Sequence, residues 1–145
     1  MQTIPYKIGQ IKISQFAIFP DKYVNGEEVQ IHASFSFGHS VTLDSIRCTA
    51  SFSFLQKEEL LLISETQCFF NIAQEGIEQL RKGHEIPVDF LRYMATIATG
   101  TVRGIIHAKT EGTVLNTIIL PPINLVNLIE KGVPVSYTHL RAHET

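Results

Sequence analysis

From Val29 to Phe37 apolar and polar side chains alternate without a break: Val29, Ile31, Ala33, Phe35 and Phe37 against Gln30, His32, Ser34 and Ser36. The alternation returns further on, with Ile46, Cys48, Ala50, Phe52 and Phe54 against Arg47, Thr49, Ser51 and Ser53. Period two predicts strands with one apolar and one polar face, hence an antiparallel sheet covered on one side. "ASFSF" occurs at Ala33 and again at Ala50, but two copies of strand chemistry do not make a repeat architecture. A charged turn, Gln56-Lys57-Glu58-Glu59, leads into "LLLISETQCFFNI" and sets Cys48 roughly opposite Cys68. Two small buried hydrophobes fit that pair better than a redox couple does. Upstream, "IGQIKISQFAIFP" predicts a further strand in which Ile11 and Ile13 share one phase and Phe16 and Ile18 the other. The slip between them predicts a bulge. "PDKYVNGEE" is a turn-rich crossover to the next strand, giving four strands in all.

The second half changes period. After a short helix predicted around Gln74 to Arg81, Phe90, Leu91, Met94, Ile97, Ala98, Thr101, Ile105 and Ala108 follow helical spacing. Pro87 suits a first turn, Asp89 and Lys109 suit the dipole ends, and Gly112 can end the helix in the left-handed conformation. "IILPPIN" cannot be helical at its prolines, and Asn124 can cap a last short helix carrying Leu125, Leu128 and Ile129. The predicted fold is α+β: a four-stranded antiparallel sheet with one face under a long helix, then a short helix.

The long helix has another face, with Ala95, Thr99, Gly100, Arg103, Gly104 and His107 and little charge. A glycine costs about 1 kcal/mol against alanine in an exposed helix, so close packing against another backbone is expected to offset two of them. The sheet takes only one side of the helix. These six residues are therefore expected to form an oligomer interface. Arginines within the segment exclude a membrane GxxxG reading, and "ATGTVRG" lacks the lysine of a phosphate loop.

Charge removes further classes. Twelve Lys and Arg against fourteen Asp and Glu give a net charge of −2, with no footprint for nucleic acid or an anionic membrane. The opening residues lack the apolar run of a signal peptide, no stretch reaches the length of a membrane span, and two cysteines fit no zinc module. A cytoplasmic protein with reduced thiols is expected. Glu27-Glu28 and Glu58-Glu59 lie in turns as solvated charge, and His32 and His39 flank a strand end and are not expected to be catalytic. No catalytic residue and no cofactor is expected.

The end of the chain, "VSYTHLRAHET", stands apart from the rest. His139 and His143 are four residues apart, yet the Glu follows the second His instead of standing between them, so the zinc-protease pattern is absent. The run resembles a translated transposase-type sequencing adapter, and 135–145 are set aside from the fold as such. One natural domain is expected over 1–134, its own C-terminus left open.

The order of elements from Ile11 to Ile129 resembles the SecB-like export chaperones. The resemblance is carried above all by "LRYMATIATGTVRGIIHAKTEGTVLNTIILPPINLVNLI", Leu91 to Ile129, similar to the helix, proline connector and second helix of divergent members. It implies an ATP-independent chaperone that holds unfolded or nascent polypeptides in a groove beside the sheet. It also implies a homodimer or homotetramer, and an export motor or a toxin-linked antitoxin as further partner. The acidic tail of the best-known members is absent, which leaves the motor contact open. The peptide groove is expected at Tyr23 and Val24 in the crossover, Phe35 and Phe37 on the strand, and Leu125 and Leu128 on the last helix. The alternative is a non-catalytic oligomeric structural or adaptor protein on the same scaffold.

Overall fold

The computed structural model describes residues 4–135. Strands β1 (Tyr6–Ile18), β2 (Gln30–His39), β3 (Ser45–Gln56) and β4 (Glu59–Ile72) form one antiparallel sheet in the order β1-β4-β3-β2. The two alternating segments are β2 and β3. Their register pairs Ala33 with Phe52 and Phe35 with Ala50, which puts both apolar rows on one face. Cys48 does stand opposite Cys68, on the central strands β3 and β4.

The phase slip in β1 is a bulge, as expected, and there are two. Register shifts fall between Ile8 and Gln10 and between Ile13 and Gln15, so Gly9 and Ser14 are the inserted residues. Each insertion resets the side-chain alternation. Tyr6, Ile8, Ile11, Ile13, Phe16 and Ile18 consequently all come opposite the helix-side row of β4, from Ile72 to Leu62. At Gly9 the close approach is specific: a Cβ there would lie 2.5 Å from the Asn71 side chain.

Helix α1 (Gln74–Gly83) ends on His84 in the left-handed conformation, followed by a two-residue strand β5 (Glu85–Ile86). The long helix α2 (Val88–Lys109) begins at Pro87, whose ring is tolerated there because the first helical N–H groups have no partner anyway. Its end differs from expectation. Thr110 terminates it, with its N–H 3.0 Å and its hydroxyl 2.7 Å from the Ile106 carbonyl, while Gly112 (φ +83°) forms the turn beyond. The threonine supplies the donors that a glycine cap would have presented through its backbone.

Leu91, Met94, Ala98 and Val102 of α2 are fully buried in one core with Cys48, Ala50, Phe52, Cys68 and Phe70 of β3 and β4. Past α2, a 3₁₀ turn (Val114–Thr117) starts the return. A connector containing Pro121 and Pro122 then leads to the single-turn helix α3 (Leu125–Leu128), capped by Asn124 as expected.

A short clasp closes the chain. Strand β6 (Val133–Pro134) pairs antiparallel with β5, matching Ile86 to Val133, and Val135 donates its N–H to the His84 carbonyl at 2.9 Å. Val135 is buried. His139 and His143 lie outside the described residues. Gly132 is required at the clasp because a Cβ there would sit 2.6 Å from the Ile86 carbonyl oxygen. Gly132→Val should therefore cost about 1–3 kcal/mol in urea unfolding, the usual penalty of overpacking. Gly83→Ala, where a Cβ meets nothing within 4 Å, is the control expected to be near neutral.

Candidate functional site

The crossover from β1 to β2 is pinned by one side chain. Gln56, 2% exposed at the end of β3, accepts from the Val24 N–H at 2.9 Å. Its amide nitrogen donates to the Val24 carbonyl at 2.9 Å and to the Glu27 carbonyl at 3.1 Å. A non-regular segment cannot satisfy its own backbone, and this amide does so for three groups at once. The ion pair Lys57–Glu27, at 2.8 Å, reinforces the same contact from the hairpin turn. Held this way, Tyr23 packs half-buried against the core and Val24 points outward, 49% exposed. Phe35 and Phe37 are half-buried on the helix side of β2, with Phe35 edge-on to Phe52 at 5.8 Å.

The connector is fastened by two arginines on α2. Arg103 donates from Nε to the Leu120 carbonyl at 2.6 Å and from Nη2 to the Pro121 carbonyl at 3.1 Å. Arg92 donates from Nε to the Ile129 carbonyl at 2.9 Å and from Nη2 to that of Val126 at 3.4 Å. The arginines are eleven residues, about three helical turns, apart in sequence, so they share a face of the helix. Beside the Arg103 fastening a cavity of about 600 Å³ opens, with Thr96, Thr99 and Arg103 on the helix side and Ile119, Pro122 and Leu125 among the connector residues facing them.

Of the expected groove residues, Leu125 lines this cavity and Leu128 is exposed one turn further along. The crossover does not join them. Val24 is tied to the β3–β4 hairpin, whereas α3 lies by Arg92, near the end where Tyr93 meets the Tyr6 hydroxyl at 3.0 Å. Tyr6 pairs with Ile72, at the far end of β4 from that hairpin. The expected residues thus form two sites, with Phe35 and Phe37 on the edge strand between.

The expected interface face is also divided. Ala95 and Thr99 are buried within the chain itself, and Arg103 is engaged with the connector. Gly100, Gly104 and His107 are exposed, and a Cβ at either glycine would meet nothing within 4 Å. Sequence reasoning missed a third surface: Ile8, Ile11 and Ile13 of β1 are 46%, 48% and 42% exposed on the helix side of the sheet. The bulge signal was present in the sequence, but not the position of β1 at the sheet edge.

Among the described residues, no group of three or more His, Cys, Asp or Glu is placed to hold a metal, and no helix is long and apolar enough to cross a membrane. The Cys48 and Cys68 thiols are both pushed up by burial, which keeps them protonated and unreactive.

A four-stranded antiparallel sheet with a long helix across one face and a connector returning to a short helix is the SecB-like fold. One solved structure of that fold, a Mycobacterium tuberculosis SecB-like chaperone in complex with a ChAD peptide from the HigA1 antitoxin, matches with a TM-score of 0.50. The match covers 81% of this chain and 90% of that one, at 10% sequence identity. No family model and no curated protein matches the chain.

Gln56→Ala should release the crossover. Three hydrogen bonds worth about 1 kcal/mol each disappear, so a loss of about 2–3 kcal/mol in urea unfolding is expected. Faster limited proteolysis between Tyr23 and Glu28 should accompany it.

Proposed function

We propose that the protein is a cytoplasmic, ATP-independent chaperone that holds unfolded or nascent polypeptides. Its clients belong to protein export or to a dedicated pair such as a toxin–antitoxin system. The observation that carries this reading is open apolar surface on a SecB-like scaffold: the β1 row of Ile8, Ile11 and Ile13 on one side, the connector cavity on the other. Contiguous exposed apolar surface of this kind marks a site for another polypeptide. The antitoxin peptide bound by the structurally similar chaperone supports the dedicated variant.

A homodimer or homotetramer belongs to the same proposal, with Gly100, Gly104 and His107 on the shared face. Because a Cβ at either glycine meets nothing within 4 Å in the single chain and both positions are exposed, Gly100→Leu and Gly104→Leu should fold normally. Sedimentation should then show weakened association for both. A wild type that sediments as a strict monomer at micromolar concentration would remove the interface.

Holding is tested on an unfolding substrate without nucleotide. Near-stoichiometric protein should delay its aggregation. The pair Val24→Ser and Leu128→Ser, both at exposed positions, should reduce protection severalfold while leaving the melting temperature unchanged. If neither protection nor binding of unfolded peptide is seen with several substrates, the chaperone reading fails.

A further inference from the structure

Arg103 has more donors than the connector uses. Its Nε–H and one Nη2–H are committed to the Leu120 and Pro121 carbonyls, which leaves three of the five guanidinium N–H groups. No carboxylate answers its charge: among the described residues the ion pairs are Lys22–Glu59, Lys57–Glu27 and Arg92–Asp89. Arg103 lines the 600 Å³ cavity, whose connector wall is isoleucine, leucine and proline. The other polar groups there are spent as donors, since Thr96 donates to the Arg92 carbonyl at 2.9 Å and Thr99 to that of Ala95 at 2.7 Å.

An apolar trough with one uncompensated cation on its wall selects for a particular ligand. We infer that the cavity between α2 and the connector takes an apolar peptide segment bearing an acidic side chain, whose carboxylate meets Arg103. This rests on the chaperone reading above and specifies the chemistry of the polypeptide held. The volume accommodates a few residues. The rim is open, with Ile119 56% exposed and both prolines exposed, so a chain continues past the site in both directions. The carboxylate belongs to an internal Asp or Glu for that reason. The segment's apolar neighbours rest on Ile119, Pro122 and Leu125, and Arg103 fixes its register through a charge-assisted hydrogen bond.

The test uses the whole chain and two fluorescein-labelled nonapeptides of alternating leucine and serine, one with a central Glu and the other with Gln there. By anisotropy at low salt the Glu peptide should bind about fivefold tighter, the size expected of a partly exposed charge contact. That preference should shrink as salt shortens the screening length. Arg103→Gln should bring the two peptides to equal affinity. Because that change also loosens the connector, Ile119→Glu is the second variant: it keeps Arg103 in place but supplies a competing carboxylate at the exposed rim, and should likewise erase the preference. Equal affinities in the wild type, or a Glu preference that survives both variants, would overturn the assignment while leaving the chaperone reading intact. If neither peptide binds and no substrate is protected, the chaperone reading itself fails and this inference falls with it.

Discussion

An α-helix with its side chains is about 10–12 Å across, whereas strands lie about 4.8 Å apart, so one helix on a four-stranded sheet covers only two strands fully. Helix α2 lies over β3 and β4, the central pair, and their inward side chains are wholly buried. The edge strands also carry inward apolar rows, because the alternation of β2 and the double bulge of β1 put them there. On β2 the row is half-covered, and on β1 its middle is open. The mismatch in width between one helix and four strands thus fixes where this protein offers apolar surface.

The return of the chain is governed by a different economy. Two adjacent prolines deny the connector regular structure, yet its carbonyls lie against a helix that has no backbone donors to spare. Arg92 and Arg103 make up the deficit with two donors each. Arg103 also lines the cavity between α2 and the connector, so it takes part in both the fastening and the opening.

The parts of this architecture written in local pattern were legible in the sequence. Alternation located β2 and β3, the charged turn after β3 located β4, helical spacing located α2, the phase slip located the second β1 bulge, and Asn124 marked α3. What escaped depends on contacts remote in the chain. The clasp of β5 and β6 is two residues per strand, too short for any period to show. Gln56 reads as part of a polar turn, and nothing local announces that its amide serves a segment some thirty residues upstream. The uncharged face of α2 was visible as a pattern. That Ala95 and Thr99 on it would be buried within the chain itself, leaving Gly100 and Gly104 outside, required the tertiary packing. For the same reason Tyr23 and Leu125 could be picked as outlying apolar residues but not assigned to their separate places, one on the crossover held by Gln56 and one in the connector cavity.

The clasp also determines how the molecule bears load. Tension applied at Val135 meets first the His84 carbonyl and then the two-residue pairing of β6 on β5, bonds that open one after another instead of together. Next in line are the carbonyls of α3 held by Arg92. Each step can yield without loading the long register of β3 on β4, so a pull from the C-terminal side would peel away the connector and widen the cavity while the sheet stays whole.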